Sequence, residues 1–148
     1  MNMGPSQALR KTFASYEVCH RTEGNERCHW IGIPLVMISL LGLLARLPLV
    51  PPLDFALLLW GVATVYYLVL DWKLGAPFSL VVFVLYAGSR ELSLPVLWVL
   101  FGLGWFFQIF GHYYFEKRSP AFFTNLKQLL VGPFWLFSRL FHSYRLQK

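Results

Sequence analysis

Four continuously apolar segments dominate this chain and restrict what it can fold into. They run over residues 30–50, 53–70, 76–88 and 94–115. None alternates apolar with polar residues, as a lipid-facing barrel strand would. In lipid, the remaining way to satisfy every backbone N–H and C=O is the α-helix. The expectation is an all-α polytopic membrane protein with about four transmembrane helices. Composition agrees, because 57% of the 148 residues are hydrophobic and only 14% are charged. A soluble domain carries about 25% charged residues. So few charges cannot cover the surface of a small globule. A disordered chain would need the opposite balance. The segment 76–88 is shorter than the roughly 20 residues a bilayer core requires. It must recruit 72–75, thin the bilayer, or enter without crossing.

One membrane domain over 1–148 accounts for the length. Residues 1–29 form a polar N-terminal segment, 30–115 the spans and 116–148 a tail. No room is left for a separate soluble catalytic module. In the tail, Phe122, Phe123, Leu126, Leu129 and Leu130 recur at near-helical spacing, with Asn125, Lys127 and Gln128 between them. Pro133 divides this stretch, which reads as a pair of interfacial amphipathic helices, with a fifth span as the alternative. Of the 13 Lys and Arg residues, four spans put Arg46 and Arg90 on one side and the other eleven opposite. The positive-inside rule then places both termini in the cytoplasm. The net charge of +6 reads as attraction to anionic lipid head groups, and no nucleic-acid motif is present. The polar start carries no secretory signal, and no retrieval signal closes the chain. A bacterial inner membrane is the first expectation and the endoplasmic reticulum the alternative.

The same topology bears on the histidines. His20 lies in the N-terminal segment, His29 directly before the first span and His112 near the same-side end of the fourth. Three residues far apart in sequence therefore reach one membrane face. His112 and Glu116 are spaced for one helix face. Three imidazoles and a carboxylate match the ligand set of a non-haem iron or zinc site. The competing reading is that amphipathic rings rest at the interface, and His142, between Phe141 and Tyr144, takes that reading. Gln108, one turn before His112, is a polar residue inside a span, so it is either functional or hydrogen-bonded between helices. Gly102 and Gly104 suit close helix packing. Cys19-His20 and Cys28-His29 form a doublet, but the short cysteine spacing of zinc sites is missing.

Two strings complete the pattern. The first is Tyr16-x3-His20-x4-Asn25-x3-His29-x2-Gly32-x-Pro34. The second is Gln108-x2-Gly111-His112-x3-Glu116-Lys117-Arg118-x-Pro120-Ala121. With four spans and Gly132-Pro133-Phe134 in the tail, the chain resembles the small membrane family of 2-hydroxy fatty acid dioxygenases. The resemblance implies a membrane-interface enzyme of fatty acid α-oxidation that uses Fe(II) and molecular oxygen to shorten a 2-hydroxy fatty acid by one carbon. It implies His20, His29 and His112 as metal ligands, with Glu116 as a fourth ligand or an orienting partner. Asn25, Gln108, Lys117 and Arg118 are the candidates for the substrate head group, the two cations alternatively for lipid phosphate. The contrasting expectation is a non-enzymatic membrane scaffold or lipid-binding protein. The oligomeric state is not legible.

Overall fold

The computed structural model describes residues 5–141. His142, Tyr144 and the basic residues Arg145 and Lys148 lie outside them. The described chain is all-helical, and three of its helical elements are long and apolar enough to cross a membrane.

The first helix, α1 (Gln7–Glu17), lies where only a polar segment was expected. Ser6 caps it, its hydroxyl accepting from the Leu9 N–H at 3.1 Å. Leu9, Phe13 and Tyr16 form its buried stripe. The second, α2 (Glu23–Leu44), starts within the polar segment, so His29 sits on the helix rather than ahead of it. Thr22 caps this end, and Glu23 and Glu26 in the first turn complement the helix dipole.

Next comes α3 (Phe55–Ser89), whose 35 residues are interrupted by extended backbone at Asp71 (φ −162°, ψ 104°). A straight helix of that length would reach about 52 Å. Instead, the Trp60 indole donates to the Ser79 carbonyl at 2.9 Å, and the Tyr86 hydroxyl donates to Asp54 at 2.7 Å. Such contacts require the chain to fold back at Asp71 into two antiparallel limbs. The Asp71 carboxylate caps the second limb by accepting from the Lys73 and Leu74 N–H groups. It also accepts from the Ser6 N–H at 3.0 Å, docking the chain start on the turn. Residues 72–75 thereby join the short segment 76–88. By length and hydropathy α3 counts once among the three candidate crossings, yet it contributes two rods.

The next helix, α4 (Leu94–Phe110), has Pro95 in its first turn and continues as a π-helical turn over Gly111–Glu116. Lys117 ends it in the left-handed region at φ 53°. A short 3-10 turn, Ala121–Phe123, leads to α5 (Lys127–Ser138). Here the expectation of two interfacial tail helices is corrected. Pro133 lies inside one helix and does not divide it, removing only the N–H that would reach the Leu129 carbonyl. Burial explains the tolerance, because α5 sinks Val131, Phe134, Trp135 and Leu136 into the core. Phe134 meets Phe13 of α1 and Tyr67 and Phe78 of α3.

Helices α2 and α4 cross antiparallel at very close range. A Cβ on Gly104 would lie 2.8 Å from the Val36 backbone nitrogen, and one on Gly32 would lie 2.9 Å from the Gly104 carbonyl oxygen. Gly102, the other glycine expected to pack, faces open space, with nothing within 4 Å. Gly104→Val is therefore expected to cost about 1–3 kcal/mol through overpacking. Gly102→Val should leave thermal unfolding in detergent unchanged. At one end of the bundle Arg46 donates to the Gly42, Arg90 and Leu92 carbonyls. His20, His29, His112 and Glu116 gather at the other.

Candidate metal centre

Three elements each deliver one imidazole. His20 follows α1 in a turn closed by the His20 N–H on the Glu17 carbonyl. His29 stands in the early turns of α2, and His112 in the π-helical turn. Their exposures are 8%, 2% and 3%. The His112 ring lies 4.7 Å from His20 and 4.9 Å from His29 between centroids. One nitrogen from each ring falls within 4.8 Å of the other two.

Hydrogen bonds decide which nitrogens face inward. His20 Nδ1 lies 2.8 Å from the Tyr16 carbonyl, and His29 Nδ1 lies 2.9 Å from the Asn25 carbonyl. A carbonyl can only accept, so both Nδ1 atoms carry the proton. Both Nε2 atoms are then bare lone pairs, and they face one another at 3.1 Å. Two lone pairs at that distance repel unless a cation lies against them. A proton does not serve at neutral pH. Burial pushes the His20 pKa down to about 4, outweighing the Tyr16 carbonyl, which favours the charged form. A divalent metal fits: ion–nitrogen bonds near 2.1 Å separate two ligand nitrogens by about 3.0–3.4 Å, for angles from octahedral to tetrahedral. The Tyr16 ring stacks on His20 with centroids 3.8 Å apart and fixes its plane. The backbone carbonyls behind His20 and His29 are the usual outer support of a metal-binding histidine.

Glu116 stands outside this group of nitrogens. Its Oε1 accepts from the N–H groups of Arg21 and Thr22 at 2.7 and 2.8 Å and from the Thr22 hydroxyl at 2.9 Å. Asn25 Nδ2 adds a longer contact at 3.4 Å. One carboxylate thus clips the end of the π-helical turn to the segment joining His20 to α2. Asn25 is fully buried and spans both tasks, since its carbonyl holds His29 and its amide reaches Glu116. The close fit depends on Gly111, where a Cβ would lie 2.5 Å from Asn25 Oδ1. A π-helical turn inside an α-helix often marks such a site.

A pocket of about 140 Å³ opens from the histidines into the bundle. Along α2 its wall continues from His29 through Ile33, Val36, Met37 and Leu40, about 16 Å of helix. Gln108 of α4 also lines it. Lys117 and Arg118 are exposed and do not line the pocket. Cys19 and Cys28 are both free, and neither thiol joins the three imidazoles. Tyr16, Trp105 and Gln128 also line the pocket and were not singled out as site residues from sequence. For Tyr16 the signal was present: it is spaced one helical turn before His20. For Gln128, a polar residue among apolar ones in the tail, nothing in the sequence marks the direction it faces.

Residues 6–144 match the family model described as 2-hydroxy-palmitic acid dioxygenase Mpo1-like. The chain is also similar to 2-hydroxy-palmitic acid dioxygenase MPO1 of Saccharomyces cerevisiae. They are 28% identical over 133 residues, which cover 86% of this chain and 76% of that protein. No solved structure matches. With nearly its whole length matched and three histidines assembled at one end of its bundle, this chain belongs to the Mpo1-like family.

Proposed function

We propose that this protein is a metal-dependent dioxygenase that shortens 2-hydroxy fatty acids by one carbon at the membrane interface, with Fe(II) held by His20, His29 and His112. The observation that carries this reading is the pair of carbonyl-locked imidazoles whose bare Nε2 atoms oppose each other at 3.1 Å in a buried site. A scaffold or lipid-binding protein has no use for two buried lone pairs in opposition. The family membership and the relative's name supply the substrate class.

The overall reaction balances without an outside reductant. A 2-hydroxy acid and one molecule of oxygen yield the shortened acid, carbon dioxide and water. When bound, ferrous ion supplies one-electron reactivity toward oxygen and open positions for a hydroxy-carboxylate. The protein's own residues do the rest. Tyr16 and Asn25 hold two imidazoles in the metal-ready tautomer. Glu116 and Asn25 fix the segment that carries His20. Ile33, Val36, Met37 and Leu40 receive the acyl tail and exclude water from the histidine end. Lys117 and Arg118 attract the substrate carboxylate, or lipid phosphate, at the same membrane face. The Lys and Arg asymmetry supports a cytoplasmic position for that face and for both termini.

The test is anaerobic loading with ferrous ion, addition of 2-hydroxyhexadecanoic acid and oxygen, and mass spectrometry of the acids. The acid one carbon shorter is the expected product. Fully iron-loaded protein that yields none would overturn the reaction.

A further inference from the structure

Gln128 stands on the pocket wall in the first turn of α5. Its Oε1 is buried and has no hydrogen-bond partner among the described residues. Donors on the pocket wall include the Tyr16 hydroxyl, the Gln108 amide and the Trp105 indole, and none of them satisfies it. A buried amide oxygen left without a donor is destabilising, so native proteins keep one where a ligand or an ordered water completes it. The position of Gln128 is set by packing on its own helix. Gly132, on the same wall one turn later, lets α5 approach α1 so closely that a Cβ there would lie 3.0 Å from the Tyr16 hydroxyl. The helix is anchored beyond that by Trp135, whose indole donates to Glu17 at 3.0 Å. Gln128 is thereby held against the pocket that the histidines open into.

We propose that Gln128 reads the 2-hydroxyl group of the substrate, its Oε1 accepting the hydrogen bond from that hydroxyl. The proposal rests on the substrate class given above and deepens it. The chemistry of the reactants selects the donor. An ionised carboxylate has only acceptors, molecular oxygen has no proton to give, and the acyl tail has neither. The 2-hydroxyl is the one donor that the substrate brings. An unsubstituted fatty acid would leave Oε1 buried and unpaired, and a site built to bond a substrate hydroxyl rejects the analogue lacking it. Gln128 is thus a specificity-determining residue, separate from the metal ligands.

The experiment uses the full chain in detergent, loaded with zinc so that no turnover occurs. Displacement of a fluorescent fatty acid by 2-hydroxyhexadecanoic and by hexadecanoic acid gives the preference for the hydroxyl. Wild-type protein is expected to prefer the hydroxy acid. Gln128→Met keeps the side-chain length but removes the amide, and is expected to lower that preference about tenfold. Affinity for hexadecanoic acid should stay the same or rise. Metal content should be unchanged, and thermal stability unchanged or higher, because an orphaned amide oxygen has been removed. A purely structural role predicts the reverse, a lower melting temperature with an intact preference. An unchanged preference in Gln128→Met, as when Oε1 serves only an ordered water, overturns the proposal. Binding of neither acid by the wild type overturns the substrate class and this inference with it. A preserved hydroxyl preference alongside failure of the iron-loaded turnover assay would overturn the reaction and leave the role of Gln128 standing.

Discussion

Alanine at His20, His29 or His112 is expected to strip the protein of its metal. Elemental analysis of purified protein should find near-stoichiometric metal in the wild type and a trace in each variant. The effect is large because all three imidazoles converge within one 4.8 Å group, and among the described residues no other carboxylate, thiol or imidazole joins it. Losing a partner that merely supports a ligand costs about 10–100-fold in metal affinity. Losing one ligand of three should exceed that. The metal-free variants offer a second readout. In the wild type the His20 and His29 lone pairs repel across 3.1 Å. Removing either ring relieves that repulsion, so the His20 and His29 variants should still fold without metal. Full metal retention by all three variants would place the metal elsewhere and overturn the site.

The second large effect is expected at Glu116. Its Oε1 accepts from two backbone N–H groups and one hydroxyl within 2.9 Å, with Asn25 at 3.4 Å. Glu116→Ala leaves those donors without their shared acceptor. A charge-assisted hydrogen bond contributes about 1.5–3 kcal/mol. Because the donors share one oxygen and are not additive, a loss of about 2–3 kcal/mol is expected for the set. The freed segment carries His20, so metal affinity should fall about 10–100-fold. Glu116→Gln retains an oxygen acceptor and should recover most of both losses. Metal titration and thermal unfolding of the two variants check this. Wild-type affinity in Glu116→Ala would show that the carboxylate does not position the site.

These predictions rest on features of unequal legibility. The membrane fold was readable because long apolar runs admit few alternatives once backbone polar groups must be satisfied in lipid. The helix α1 is harder to read, because its exposed residues, such as Arg10 and Lys11, mask the stripe of Leu9, Phe13 and Tyr16. The Ser6 cap and the spacing of those apolar residues were available as signals. The continuity of α5 through Pro133 was not available, because it depends on what buries the helix. The same holds for Gln128, whose importance comes from the wall it occupies.

The sequence by itself determined that the chain is helical and apolar, and that His20, His29 and His112 share one end of it. That much follows from counting crossings, since each helix carries the chain from one end of the bundle to the other. It did not determine that their nitrogens meet. That required Gly32 and Gly104 to let α2 and α4 approach closely, Gly111 to seat the π-helical turn against α2, and Glu116 to clip the segment behind His20. It also required backbone carbonyls placed to choose the tautomers. Helical periodicity sets the face on which a residue stands. Only tertiary packing sets the distance between residues on different helices, and coordination chemistry is decided within a few tenths of an ångström.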